Sequence, residues 1–192
     1  ETENFIHEII SEIKYVNKIK RDIKFKIISS KNINAFVDEN NIIYITSGLI
    51  EHSPDYIALL SVLAHEIGHI DKNHITLRKS SINKINKFKN VSSLSIIAGS
   101  MLTSNPQILQ GILMSSAGVS EHYIKFTKDQ EREADYYSLE TLKKLNLNSK
   151  SVIKLLKIIE KEALNKGLNK EMQRISTHPY FEERIEIINF VN

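Results

Sequence analysis

The chain has 192 residues, of which 41% are hydrophobic and 26% are charged, so it can bury a real core and is short for two domains. Its formal net charge is +3, but the lysines are scattered and do not gather with aromatic residues on one stripe, which argues against nucleic-acid binding. The chain contains no cysteine, so a metal ion would have to be held by histidine and carboxylate side chains. We expect a single domain over residues 1–192.

The N-terminal quarter of the chain predicts one helix followed by a small sheet. Apolar residues recur at helical spacing from Phe5 to Ile19, which predicts an amphipathic helix up to about residue 21. Asn40-Asn41 suits a turn before the last strand, because Asn tolerates the left-handed conformation. We expect residues 42–46 to form the edge strand, whose free backbone groups could pair with an extended peptide. Short β-branched or aromatic runs predict strands at residues 23–29, 33–37 and 42–46.

A second helix is predicted to begin at Ser53-Pro54-Asp55. Ser53 suits the N-cap and Pro54 the first helical position, and the helix should run to about Arg78. It contains the sequence His-Glu-Ile-Gly-His at residues 65–69, a pattern typical of zinc proteases.

The spacing of the two histidines in this motif suits metal binding. Residues four apart share one helix face, so His65 and His69 can present two imidazoles to one metal ion. Glu66 points elsewhere and can hold a water without being a ligand. Two histidines make an incomplete site, because catalytic zinc normally takes three protein ligands. The alternative is a surface helix whose histidines recur by chance.

Residues 90–120 contain no charged side chain. A transmembrane helix needs about 20 mostly apolar residues, and Asn105-Pro106-Gln107 interrupts this run. We therefore predict no transmembrane helix in the chain as given, but two short helices that meet at Pro106 and cover the active-site cleft. The alternative is that this stretch contacts a membrane or another protein.

A further helix supplies the missing ligand. Thr127 and Gln130 have the spacing of a capping box, which predicts that the helix begins at Thr127. Glu131 and Asp135 lie on its apolar face, and a buried unpaired carboxylate costs several kcal/mol. We predict that Glu131 is the third ligand and that Asp135 accepts the outward N–H of a metal-bound histidine. Glu133 lies on another face, as a solvated charge. The alternative is an exposed acidic helix start that suits the helix dipole.

The remaining elements and histidines are predicted to be structural. Amphipathic helices are expected at residues 149–166, capped by Ser149, and at residues 180–190. His74 follows His69 by five positions, so on a continuous helix it would be rotated off the ligand face. The histidines at positions 7, 52 and 122 are expected to have structural roles.

Together these segments resemble the gluzincin zinc metallopeptidases, and within them the family of HtpX-like, CAAX prenyl protease-like and BepA-like (periplasmic beta-barrel assembly-enhancing) proteases. The resemblance rests on the two-histidine motif, on Asn34–Phe36, on Ile42–Leu49, on Thr127–Asp135, and on Ser176-Thr177-His178-Pro179 with Arg184. One stretch departs from the pattern. Val37–Asn41 stands where members often have Pro-Gly or Gly-Gly.

The resemblance implies a fold and a mechanism. The fold would be α+β and mostly helical, a zincin-type metalloprotease domain with a small sheet whose edge strand borders the active-site helix. The activity would be that of a zinc metalloendopeptidase with one Zn²⁺ per chain, held by His65, His69 and Glu131. Glu66 would be the general base. His178 and Arg184 would stabilise the oxyanion, with Tyr123 or Tyr180 behind them, or His178 would cap the zinc as a removable fourth ligand.

The resemblance also suggests substrates and a compartment. Polypeptide substrates, unfolded or misfolded, would be degraded in quality control of exported or envelope proteins. The chain begins at Glu1 without a methionine, so any targeting segment would have been upstream and removed. The resemblance to periplasmic members implies a periplasmic or otherwise exported protein. Two alternatives stay open: a metal-binding, chaperone-like protein, and a membrane-surface module acting through residues 90–120. An intact Glu66 argues against the first, because binding alone needs no general base.

Overall fold

A computed structural model of the chain describes residues 1–78, 80, 121–167 and 181–191. The described part is mostly helical and contains one three-stranded sheet, which confirms the predicted α+β class. Residues 74–78 form a further short helical segment. The helices are α1 (Thr2–Asn17), α2 (Ser47–His52), α3 (Tyr56–Asp71), α4 (Glu121–Lys144), α5 (Lys150–Asn165) and α6 (Phe181–Val191), and the strands are β1 (Lys24–Ile28), β2 (Ala35–Val37) and β3 (Ile42–Thr46).

The strand order of the sheet is β1-β3-β2, so β3 is the central strand. It runs parallel to β1 and antiparallel to β2, and Ile43 and Ile45 on it are fully buried. The prediction that residues 42–46 form the edge strand is therefore wrong. A strand pattern in the sequence does not say which strands pair, and here β1 pairs with β3 instead of with its neighbour in the chain. Within the described residues β2 is an edge strand, and it contacts α3.

The turn between β2 and β3 is held by Asp38. Its carboxylate accepts hydrogen bonds from the backbone N–H groups of Asn40 and Ile42, each at 2.9 Å. Asn41 has a φ of 59°, the left-handed conformation that Asn tolerates. The predicted turn at Asn40-Asn41 is confirmed.

Helix α3 begins two residues later than predicted. Asp55 is its N-cap and accepts a hydrogen bond from the backbone N–H of Ala58 at 3.0 Å. Ser53 instead ends α2, where its hydroxyl donates to the carbonyl of Leu49 at 2.7 Å. Both residues are good N-caps, and α2 is a short helix that the sequence did not distinguish from α3. Asp55 also accepts from the Ser151 hydroxyl, which connects the start of α3 to α5.

The predicted single helix up to Arg78 is interrupted. Helix α3 ends at Asp71, and Asn73 has a φ of 56°, which a helical residue cannot adopt. The chain then resumes as helix at residues 74–78. This turn changes the direction of His74 and Arg78 relative to α3, and both side chains are buried.

Helix α4 begins before the predicted cap. It starts at Glu121, so Thr127 lies inside the helix and is completely buried. The predicted capping box is therefore wrong, because a Ser/Thr residue and a Gln three positions on can also occur within a helix that packs on its neighbours.

Helices α3 and α4 pack closely along the centre of the molecule. A Cβ at Gly68 would lie 3.1 Å from the Cβ of Tyr137, so glycine allows the close approach of α4. The Ser138 hydroxyl donates to the Ser61 carbonyl at 2.7 Å. The apolar core surrounds this pair and includes Ile6 and Ile13 of α1, Leu155 of α5 and Ile188 of α6. None of the helices formed by the described residues is long and apolar enough to cross a membrane.

Candidate metal centre

Three buried side chains from α3 and α4 converge on one point. His65 Nε2 and His69 Nε2 lie 3.1 Å apart. Glu131 Oε2 lies 3.4 Å from His65 Nε2, and its Oε1 lies 3.3 Å from His69 Nε2. These three residues are a group of potential metal ligands. The structure thus brings together the residues that helical spacing predicted to face one another.

The distances within this group fit a tetrahedral metal ion. Nitrogen and oxygen ligands lie about 2.0–2.2 Å from zinc, which places them about 3.3–3.6 Å from one another at the corners of a tetrahedron. The two imidazole nitrogens lie 3.1 Å apart, and each lies 3.3–3.4 Å from the nearer oxygen of Glu131, close to these edges. With one ligand atom taken from each residue, the three atoms all lie within 4.8 Å of one another. Two imidazoles and one carboxylate are also a donor set that catalytic zinc uses. The residues therefore fit the ion that the sequence predicts.

His65 is held from behind by Asp135. The Nδ1 of His65 lies 2.9 Å from Asp135 Oδ1, so an N–H at Nδ1 leaves Nε2 with its lone pair toward Glu131. Burial opposes a charge on His65, but Asp135 and Glu131 outweigh burial and raise the pKa of His65 to about 9. The two carboxylates therefore favour a positive charge on or next to the His65 imidazole.

Asp135 in turn is bound by Arg184 of α6. Arg184 Nη2 donates to Asp135 Oδ1 at 2.6 Å, and Nε donates to Oδ2 at 2.9 Å. Burial alone would raise the pKa of Asp135, but the charge of Arg184 and the hydrogen bond with His65 lower it to about 2. The structure thus places Arg184 against Asp135. The oxyanion role assigned to Arg184 from the sequence stays a prediction.

The imidazole of His69 contacts that of His74. Its Nδ1 lies 2.9 Å from Nδ1 of His74, and Nε2 of His74 lies 3.1 Å from Oε2 of Glu133. Burial lowers the pKa of His69 to about 3 even though Glu131 opposes that change. Glu133 is half exposed and also pairs with Lys72 at 3.1 Å, so it is an ion-paired residue and not simply a solvated charge.

Glu131 is bound by Arg78. The Nη2 of Arg78 donates to Glu131 Oε1 at 2.7 Å, and its Nε donates to Gln130 Oε1, also at 2.7 Å. Arg78 and Glu131 are both buried. Oε1 of Glu131 therefore lies close both to this guanidinium group and to Nε2 of His69.

Glu66 follows His65 in the sequence of α3, and its side chain is buried. Its negative charge is one of the influences that raise the pKa of Arg184, after Asp135 and Glu131. The charge of Glu66 therefore acts on Arg184 together with the charges of Asp135 and Glu131. The role of Glu66 as general base stays a prediction.

Some predictions fall outside the described residues. His178, Tyr180 and the stretch 90–120, including Pro106, all lie there. The side chains of His122 and Tyr123 are likewise not described. Their roles stay predictions.

The sequence did not reveal the contacts of His74 and Arg78. A continuous helix would place His74 off the ligand face, and the structure shows that it contacts His69. The signal was Asn73, since Asn is the non-glycine residue that most readily adopts the left-handed conformation and ends a helix.

The chain is similar to several known proteins. Peptidase family M48 matches residues 1–190 of the chain. The putative beta-barrel assembly-enhancing protease of Vibrio cholerae is 26% identical over 186 residues, which cover 95% of this chain and 37% of that protein. Metalloprotease YcaL of Escherichia coli is 24% identical over 168 residues, which cover 86% of this chain and 61% of that protein. The chain thus spans about a third of the first relative and under two thirds of the second.

A solved structure shares the fold. The crystal structure of S. mikatae Ste24p aligns with a TM-score of 0.53 and 20% sequence identity, covering 93% of this chain and 49% of that one. At this identity the likeness establishes the fold alone.

Proposed function

The chain belongs to peptidase family M48, and on that premise we propose that it is a zinc-dependent endopeptidase. The observation that supports the proposal best is the convergence of His65, His69 and Glu131, whose ligand atoms all lie within 4.8 Å of one another. In this proposal the three side chains hold one zinc ion per chain. All three come from packed helices, so the site is built on rigid elements.

Catalysis would depend on Glu66. When bound, zinc supplies a Lewis-acid centre that lowers the pKa of water toward ~7. Glu66 accepts the proton of the attacking water and then gives it to the amine nitrogen of the leaving group. Asp135, oriented by Arg184, holds His65 in the tautomer whose Nε2 has a lone pair. Because Glu66 and Asp135 lie on different helices, the close contact of α3 and α4 is part of the catalytic arrangement.

The edge of β2 that faces away from β3 has no paired strand among the described residues, and it is the proposed binding site for the substrate backbone. Asn34 accepts a hydrogen bond from Thr46, and Asp38 donates one to Ile42. In an antiparallel pair, the intervening residues Ala35 and Val37 then point their backbone groups away from β3. An extended peptide could pair with them next to α3, as in other cases of strand addition. This requirement for extended backbone favours unfolded or misfolded polypeptides as substrates.

The wider role we propose is quality control of exported or envelope proteins, in a periplasmic or similar compartment. Support comes from relatives whose names combine protease activity with beta-barrel assembly. Fractionation of cells that produce the native protein would test the compartment. Recovery in the cytosol alone would contradict it.

Wild type and three variants test the proposed activity. Wild type should contain close to one zinc per chain and cleave casein. Glu66→Gln should keep the metal and lose at least ~10²-fold in cleavage rate, as expected for a lost general base. Glu131→Ala should lose most of the zinc and the activity. Glu140→Gln, an exposed change on α4, is the matched control and should behave as wild type.

Three outcomes would contradict the proposal. A wild-type protein without bound metal would remove its basis. Equal casein cleavage by wild type and Glu66→Gln would show that the activity comes from elsewhere. A metal-loaded wild type that binds unfolded casein without cleaving it would favour the chaperone-like alternative.

A further inference from the structure

We propose that His74 is a positioning residue for His69, and that Glu133 fixes which nitrogen of His74 carries the proton. The inference rests on the proposed function, because it concerns the orientation of a zinc ligand. Its basis is a continuous row of contacts from the surface to the site. Glu133 Oε2 lies 3.1 Å from His74 Nε2, His74 Nδ1 lies 2.9 Å from His69 Nδ1, and His69 Nε2 lies 3.3 Å from Glu131 Oε1.

The protons along this row can be assigned in order. An ionised carboxylate only accepts hydrogen bonds, so Nε2 of His74 must carry the proton that faces Glu133. In a neutral imidazole the other nitrogen is then an acceptor. Nδ1 of His74 therefore accepts from Nδ1–H of His69. That leaves Nε2 of His69 with a lone pair directed at the candidate metal position.

The opposite assignment is inconsistent with a metal site. With the proton on its Nδ1, His74 would be a donor to His69, and Nδ1 of His69 would have to accept. The proton of His69 would then lie on Nε2 and point at His65 and Glu131, where it would block a metal ion. A carboxylate at the surface end of the row thus decides which nitrogen binds metal at the other end.

The surroundings of His74 fit such a role. His74 is 1% exposed, so water does not compete for its nitrogens. Lys72 binds the second oxygen of Glu133 at 3.1 Å, which keeps that carboxylate ionised and leaves Oε2 for His74. The turn at Asn73 directs His74 back toward His69. Metal-bound histidines usually donate their second N–H to a carboxylate, carbonyl or water; here an imidazole takes that position.

The first test compares two substitutions of His74. His74→Leu removes the acceptor and keeps an apolar side chain of moderate size, so we expect zinc affinity to fall by about 10- to 100-fold. His74→Asn places a carbonyl oxygen near the former Nδ1 and should restore most of the affinity. Affinity is measured by competition with a chromophoric chelator. The absorption spectrum of the cobalt(II)-loaded protein reports the ligand geometry independently of cleavage.

The second test acts at the surface end of the row. Glu133→Ala removes the group that selects the tautomer and should weaken zinc binding, but less than His74→Leu does. Glu133→Gln keeps an acceptor oxygen and should stay closer to wild type. Glu140→Ala, an exposed acid on the same helix, is the matched control and should change neither affinity nor spectrum.

These measurements separate the inference from the proposed function. If wild type binds no zinc, the proposed function fails. If wild type binds zinc and His74→Leu has the same affinity and cobalt spectrum, the inference alone is overturned. It is also overturned if His74→Leu and His74→Asn lose zinc equally, or if Glu133→Ala has no more effect than Glu140→Ala. The Glu133 variants keep the test decisive if His74→Leu does not fold.

Discussion

At the scale of single residues, each candidate ligand has an outer partner of different chemistry. Asp135 contacts His65, His74 contacts His69, and Arg78 contacts Glu131. A carboxylate that accepts a hydrogen bond from an imidazole makes that imidazole a stronger metal ligand. A guanidinium group makes the carboxylate it binds a weaker metal ligand, because it withdraws negative charge from the carboxylate oxygens. The outer partners therefore differ in how strongly they favour a bound cation.

We expect Asp135→Asn to weaken zinc binding by about 10- to 100-fold without abolishing it. The amide oxygen can still accept from Nδ1 of His65, but the negative charge and the pairing with Arg184 are lost. A metal titration measures the effect. Asp129→Asn, a change of an exposed acid on the same helix, is the control. A titration of Asp135→Asn that matches wild type would show that Asp135 is an ordinary helix acid.

Arg78→Met should destabilise the metal-free protein strongly and the zinc-loaded protein much less. Without Arg78 the buried carboxylate of Glu131 loses the guanidinium group that compensates its charge, and breaking such a buried ion pair costs about 3–5 kcal/mol. Bound zinc would supply the missing positive charge. Urea unfolding with and without zinc measures both values.

The control for this prediction is Arg132→Met. Arg132 forms a partly exposed ion pair with Glu183 at 2.5 Å, and such pairs contribute only about 0–1 kcal/mol. Equal losses of stability for Arg78→Met with and without zinc would mean that the guanidinium group does not compensate Glu131.

The sequence could predict contacts between residues that are close together on one helix, and it could not predict contacts that depend on the path of the backbone. His65 and His69 share a face of one helix, and Glu131 and Asp135 share a face of another. Helical spacing within each segment was therefore enough to predict each pair. His74 and Arg78 depend on the backbone of Asn73. The apolar pattern continues across that turn and gave no reason to break the helix there.

At the scale of elements, the contact between α3 and α4 sets the geometry of the centre. His65 and His69 come from one helix and Glu131 from the other, so the separation of the two helices sets the distances between ligand atoms. Gly68 lies next to His69 on α3, where an added Cβ would be 3.1 Å from Tyr137 of α4.

Gly68→Ala should therefore destabilise the protein and weaken zinc binding together. Alanine gains about 1 kcal/mol over glycine within a helix, whereas overpacking a close contact costs about 1–3 kcal/mol. We expect the second effect to prevail, because the nearest atoms are the Cβ and Cγ of Tyr137 and not the end of a flexible side chain. Urea unfolding and a metal titration measure the two consequences. Unchanged values in both would contradict this account of the helix contact.

The sequence predicted whether a segment is helix or strand better than it predicted where each element begins and ends, or which strands pair. The three strands and the helices at residues 150–165 and 181–191 lie where periodicity places them. The start of α3 was wrong because Ser53 and Asp55 are both competent caps. The pairing of β3 was wrong because pairing depends on contacts across the chain, which no local pattern records.

At the scale of the whole molecule, a metal ion in this centre would join parts of the chain that are far apart in sequence. It would link α3 directly to α4, and through Arg78 and Asp135 also to residues 74–78 and α6. The resemblance to a family was predictable from motifs across the chain, and the family is confirmed. The long-range pairing of Asp135 with Arg184 is tertiary and was not predictable from spacing.

Because the centre joins these elements, zinc should stabilise the entire fold. A ligand at about 100 times its Kd adds about 2.7 kcal/mol to the free energy of unfolding. In a chain of this size each kcal/mol shifts Tm by about 2–4 °C. We therefore expect a chelator to lower the Tm of wild type by about 5–10 °C, and added zinc to restore it. Differential scanning calorimetry measures the shift.

Two variants show whether this shift comes from the proposed centre. Glu66→Gln should show the full shift, because the proposed role of Glu66 is in proton transfer and not in holding the metal. Glu131→Ala should show almost none, because two imidazoles alone bind zinc weakly and no longer connect α3 to α4. A zinc-dependent shift of equal size in Glu131→Ala and wild type would mean that zinc binds elsewhere on the protein. The convergence of the two helices would then have to be explained without a metal.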